Sequence, residues 1–202
     1  MFNLKLIFTL IFIITISGCA SSAKNIDTSY ELGKNPKESI LIMGINRNFR
    51  VTFVDGQIIE EDLFVIDSER STGSMIQPQN GYIIMPALLE NDYSTHYGIH
   101  GYLQYGLIFQ AWIPCEDDPI LAFEIPEGEI GYIGDFSFEV LEDGSLHYPV
   151  HYEMEKLKNF LKINYPNIAD KTIHKIELEK YRYNYGDDSC VTEIHMDLPR
   201  YD

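Results

Sequence analysis

Short apolar runs, rich in β-branched and aromatic residues and cut by turn-forming residues, recur along most of this chain. Ser39–Ile45 is apolar throughout, and Phe49–Val54 alternates before Asp55-Gly56, a strong hairpin signal. Gln57–Ile66 returns, and residues 67–80 read as a polar loop. Tyr82–Leu89 contains Pro86, which suits an edge strand or a bulge. Residues 90–100 look irregular, and Tyr102–Ile113 carries aromatic and branched residues on both faces, as in a central strand. In Ile130–Leu141, Tyr132, Phe136, Phe138 and Val140 share a face opposite Ile133, Asp135, Ser137 and Glu139, the pattern of a half-buried strand. Ile173–Tyr185 and Cys190–Leu198 read as the last strands. One helix is predicted at about 152–164: Met154, Leu157, Phe160 and Leu161 fall at helical spacing, and Pro166 ends it. About nine strands, turns roughly every 8–12 residues and one helix predict a mainly β fold, an antiparallel β-sandwich with one packed α-helix. A single domain is expected over residues 38–202.

The start of the chain has a different character. Lys5 precedes an apolar run, Leu6–Ile16, of about 11 residues, too short to span roughly 30 Å of hydrocarbon comfortably. A positive start, a short apolar core and a small-residue exit make residues 1–18 a signal peptide. The ending Ile16-Ser17-Gly18-Cys19 resembles the lipobox of bacterial lipoproteins. That resemblance implies cleavage before Cys19, acylation of its thiol and attachment to a membrane. Ala20 in place of Asp implies, by the same analogy, an outer-membrane address facing the periplasm or the exterior. Residues 19–37, with Gly33, Asn35 and Pro36, read as a lipidated flexible tether. The segment Ile125–Gly134 is also similar to one in many small uncharacterised bacterial lipoproteins, which implies a sandwich fold and no particular reaction.

Hydrophobic residues make up 45% and charged residues 23%, as in ordinary globular domains, and the formal net charge is −16. That balance argues against nucleic acid as a partner. With Cys19 taken by lipid, Cys115 and Cys190 are left as an even pair and are predicted to form a disulfide. Their flanks are acidic, so the bond would gather Glu116, Asp117, Asp118, Asp187 and Asp188 at one loop end. Calcium prefers such clustered oxygens, although hydrated carboxylates splayed into solvent are the simpler reading.

Two segments have the form His-Tyr-x-x-His, His96–His100 and His147–His151. On a helix each pair could grip zinc, but Gly98 and Pro149 oppose helix. On a strand the pair stands roughly 13 Å apart, too far to share an ion. Tyr181, Tyr183 and Tyr185 alternate and offer either an aromatic stripe or cross-strand packing. No Gly-x-Ser-x-Gly, His-Glu-x-x-His, Cys-x-x-Cys or phosphate-cradling glycine loop occurs. The expectation is a lipid-anchored envelope protein acting as a structural or interaction module toward another envelope protein or a glycan. The alternatives are an envelope hydrolase using one of the four histidines with a carboxylate, or a calcium-stabilised domain that binds a glycan or partner.

Overall fold

A computed structural model describes residues 25–33, 38–45, 49–66, 76–88, 96–105, 108–112, 119–142, 146–184 and 194–197. Its elements are β1 (Glu38–Ile45), β2 (Phe49–Ile59), β3 (Leu63–Ile66), β4 (Tyr82–Leu88), β5 (His96–Tyr105), β6 (Ile108–Trp112), β7 (Pro119–Glu124), β8 (Ile130–Phe136), β9 (Glu139–Val140) and β10 (Leu146–His151), followed by α1 (Met154–Asn164), α2 (Pro166–Ala169), β11 (Ile173–Lys175), β12 (Glu179–Asn184) and β13 (Ile194–Asp197).

The chain is mainly β and builds two sheets. The first runs β13-β10-β8-β1-β4, with β11 also on β8 and β9 on β10. In the second, β2 pairs with β3, β3 with β12, β12 with β7, β7 with β5, and β5 returns to β2. These five strands close a ring, to which β6 adds outside β5. The mainly β class expected from the sequence holds, whereas one of the two sheets closes on itself, which an antiparallel β-sandwich does not describe. Both sheets are mixed: β1–β8, β11–β8 and β10–β13 are parallel in the first, and β3–β12 in the second. Alternation along a strand reports which faces are buried and says nothing of partner direction, so the parallel pairs were not visible in it.

Three layers result. Leu41, Met43 and Ile45 of β1 join Val51 and Phe53 of β2 and Leu121 and Phe123 of β7 in one core between the first sheet and the ring. Ile40 and Ile42, on the opposite face of β1, pack with Leu157 and Leu161 of α1. Val54, Phe64, Ile120, Ala122 and Tyr183 fill the ring itself. β1 is thus covered on both faces, which explains its unbroken apolar sequence. Burial of Leu157 and Leu161, each 0% exposed, contributes about 1.5–3 kcal/mol apiece relative to exposure. The helix begins at Met154, two residues inside the predicted boundary.

Gly56 corrects a turn assignment. It lies inside β2, not at a hairpin tip, and a Cβ there would sit 2.4 Å from Phe64 Cζ. A five-stranded ring has little interior room, so the glycine makes space for Phe64. The hairpin turns instead at residues 60–62, where Glu60 (φ 52°) and Glu61 (φ 36°) take left-handed conformations. Tyr102–Ile113 divides between β5 and β6, and β5 begins at His96 within the stretch read as irregular. Ile173–Tyr185 likewise divides into β11 in the first sheet and β12 in the ring. β8 is buried on both faces rather than one, because Ile133 and Phe136 lie in the core shared with the ring and Ile130 and Tyr132 in the core shared with α1. Pro86 does lie on a strand, β4, whose one strand partner among the described residues is β1, as an edge proline should.

The Pro126–Gly128 turn is held by the buried Ser39, whose hydroxyl donates to the Pro126 carbonyl at 2.7 Å and accepts from Gly128 N–H at 3.0 Å. Residues 25–33 lie within the predicted tether, yet they rest on the first sheet: Ile26 is buried, and Tyr30 and Leu32 pack beside it. No helix among the described residues is long and apolar enough to cross a membrane.

Candidate functional site

A cavity of about 350 Å³ opens where the chain crosses from β11 in the first sheet to β12 in the ring. Its polar lining is Glu124 from β7, Lys175 from β11, Glu177 from the crossover, and Glu179 and Tyr181 from β12; Phe123, Pro126 and Ile176 give it apolar wall. The alternation of β12 places Tyr181 and the fully buried Tyr183 toward the ring. Tyr181 and Tyr183 therefore serve packing rather than an exposed aromatic stripe, with Tyr181 half-buried at the cavity. The Tyr181 hydroxyl donates to the Glu179 carboxylate. Burial, and then that carboxylate, push its phenol up to about 12. The Lys175 ammonium lies 4.1 Å from the centre of the Tyr152 ring, and the Tyr152 hydroxyl donates to the Ile176 carbonyl at 2.6 Å. Three carboxylates against one ammonium give a negative lining suited to a cationic or hydroxyl-rich group. The residues lining this cavity include no serine, cysteine or histidine that could act as nucleophile or base.

A second polar cluster lies beneath the start of α1. The Tyr132 hydroxyl donates to Asp135 and also accepts from Glu153 N–H at 3.4 Å. Lys156 Nζ is 2.5 Å from Glu153 and 3.7 Å from Asp135. Burial, followed by the Asp135 hydrogen bond, raises the Tyr132 phenol above its ordinary value. The Tyr82 phenol is raised as well, first by burial and then by the nearby Asp135 charge, although its hydroxyl lies outside hydrogen-bond geometry with any described partner. The ion pair with Lys156 holds the Glu153 carboxyl below its usual range. Gly44 makes this arrangement possible, since a Cβ there would overlap the Asp135 carboxylate. The cluster fixes the first turn of α1 to β8, where no side-chain cap is present.

Both His-Tyr-x-x-His segments are on strands, β5 and β10, so neither has the helical spacing that zinc would need. His147 is half-buried, and in register it stands opposite Glu139 and His195. His151 is exposed at the end of β10, opposite Asp135. His96 and His100 pair in register with Gly56 and Thr52. Tyr97 is buried and stacks on Phe123, ring centres 5.7 Å apart. Among the described residues no group of three or more His, Cys, Asp or Glu side chains is placed to hold a metal ion. Cys19, Cys115, Cys190, Glu116, Asp117, Asp118, Asp187 and Asp188 lie outside the described residues.

The cavity was not read from the sequence. Glu177 and Glu179 flank Leu178 as an ordinary exposed alternation, and only the crossover between sheets brings them to Glu124. No family model, no curated protein and no solved structure matches this chain.

Proposed function

We propose that this chain is a lipid-anchored protein of the cell envelope whose β domain is a structural or interaction module. The observation that carries the reading is the leader: Lys5, the apolar run to Ile16 and the Ile16-Ser17-Gly18-Cys19 ending. Acyl chains on Cys19 hold the protein on the membrane, and two or more are needed for firm anchoring. Ala20 favours the outer membrane, facing the periplasm or the exterior. In this reading the β domain presents the acidic cavity to an envelope protein or a glycan. In the same reading Cys115 and Cys190 are bonded, and Glu116, Asp117, Asp118, Asp187 and Asp188 offer oxygens to calcium. A melting temperature unmoved by millimolar calcium removes that ion from the account.

The test is fractionation of cells producing the parent chain or Cys19→Ser. The parent sediments with membranes and the variant is released; equal release of both overturns the anchor. Crosslinking in intact cells then tests the module: recovery of a discrete adduct supports it, and recovery of monomer alone contradicts it.

A further inference from the structure

Asn25 and Ile26 are bound tightly to the domain. Asn25 Nδ2 donates to the Gln77 carbonyl at 2.8 Å, and its Oδ1 accepts from Ile84 N–H at 2.8 Å. Ile26 N–H donates to the Ile84 carbonyl at 2.8 Å, and the Ile26 side chain is buried with Ile84, Leu157 and Ile168 in one core. The chain is thereby clipped onto β4 at Ile84. Cys19 is only six residues earlier. At 3.3–3.6 Å per residue, six residues reach at most about 22 Å, whatever conformation they take.

We infer that this clip is a short leash that holds the pole carrying Asn25, Gln77 and the Ile84 stretch of β4 toward the lipid surface, within about 22 Å of the anchoring residue. The inference rests on the lipid anchor proposed above. Charge gives the clip a purpose. A chain of net charge −16 is repelled by anionic head groups, and a longer tether would let the domain drift further from them. Without Asn25 and Ile26, the next contacts with the domain are at Ser29, whose carbonyl accepts from Asn167 Nδ2, and at Tyr30 and Leu32, 10–13 residues from Cys19, with a reach of about 36–47 Å. The Arg50 guanidinium, 3.3 Å from Gln77 Oε1, puts a positive group at the same pole.

The test uses the full chain purified from membranes and placed in phosphatidylcholine–phosphatidylglycerol vesicles that carry an acceptor dye on the head groups. A donor dye is attached through a non-natural amino acid at position 79, where the Gln79 side chain is exposed near the clip. Energy transfer is compared for the parent, for a form with about twenty Gly/Ser residues inserted between Lys24 and Asn25, and for Asn25→Ala with Ile26→Asp. Transfer should be high in the parent and fall about twofold or more in both variants as the leash lengthens. The insertion leaves every clip contact in place, so it reads leash length even if the double variant loses its fold. A protein that does not stay with the vesicles at all overturns the anchor. A protein that stays, with transfer indifferent to the insertion, overturns the leash alone.

Discussion

Replacing Gly98 with alanine probes the closed ring directly. Gly98 lies on β5, and a Cβ there would stand 2.7 Å from Ile120 Cδ1, 2.9 Å from Val54 Cγ2 and 3.0 Å from Phe64 Cζ. All three neighbours belong to the cluster that fills the ring. Each distance is well inside the ordinary carbon–carbon contact of about 3.5–4.0 Å, so neighbours must shift. Overpacking of this kind costs about 1–3 kcal/mol. Against it stands a gain of about 0.4–1 kcal/mol from the smaller conformational freedom of the unfolded alanine chain. Taking the middle of each range, the net expectation is a loss of about 1.3 kcal/mol, read as a lower urea midpoint, or a fall of about 3–5 °C in Tm for a domain of this size. The closest atom is the terminal methyl of Ile120, so Ile120→Val should partly relieve Gly98→Ala. Alone, Ile120→Val costs about 0.5–1.5 kcal/mol. Together the two should cost less than their sum, with a coupling of about 0.5 kcal/mol or more. Additive losses, or a Gly98→Ala protein as stable as its parent, would refute the account of how the ring is filled.

Leu161→Ala opens a cavity between α1 and the first sheet, where Leu161 is 0% exposed, and should cost about 2–5 kcal/mol in urea unfolding; a loss below about 1 kcal/mol would show that the helix is not seated there. The phenols of Tyr82, Tyr97, Tyr132 and Tyr148 are all raised chiefly by burial, and that of Tyr181 reaches about 12. In the unfolded chain such phenols ionise near pH 10, so unfolding releases protons above that pH and stability should fall steadily from about pH 10 upward; an unchanged urea midpoint between about pH 9 and 11.5 contradicts the burial. Arg182 grips Asp62 through Nε–Oδ2 at 2.7 Å and Nη2–Oδ1 at 2.8 Å, and this hydrogen bonding holds the Asp62 carboxyl below its usual range. The contribution is present above the ordinary carboxylate range and is lost as pH falls through the folded value, so Asp62→Asn should lower Tm at neutral pH and converge with the parent in acid; parallel curves at every pH rule the pair out.

Strand existence and the helix were legible because they depend on local periodicity. Leu157 and Leu161 announce their buried face through spacing alone, and Pro86 announces an edge by its missing donor. Ring closure was not legible. It depends on β12 joining β3 and β7, segments far apart in sequence, and no local pattern encodes such a choice. Gly56 misled for a related reason: Asp-Gly is a turn signal when only neighbours in sequence are considered, yet here Phe64 across the hairpin demands the glycine. Asn25 was read as tether because Asn, Ser and Lys around it are poor element formers, while its two side-chain hydrogen bonds need β4 already in place. The acidic cavity escaped notice for the same reason, since Glu124 and Glu177 meet only after the crossover.

Intact mass spectrometry of the N-terminal peptide, taken from protein matured in its own cells, goes to the heart of the account. A peptide beginning at Cys19 and carrying the added mass of acyl chains is the predicted result. A leader still attached through Met1, or a Cys19 with an unmodified thiol, would contradict it.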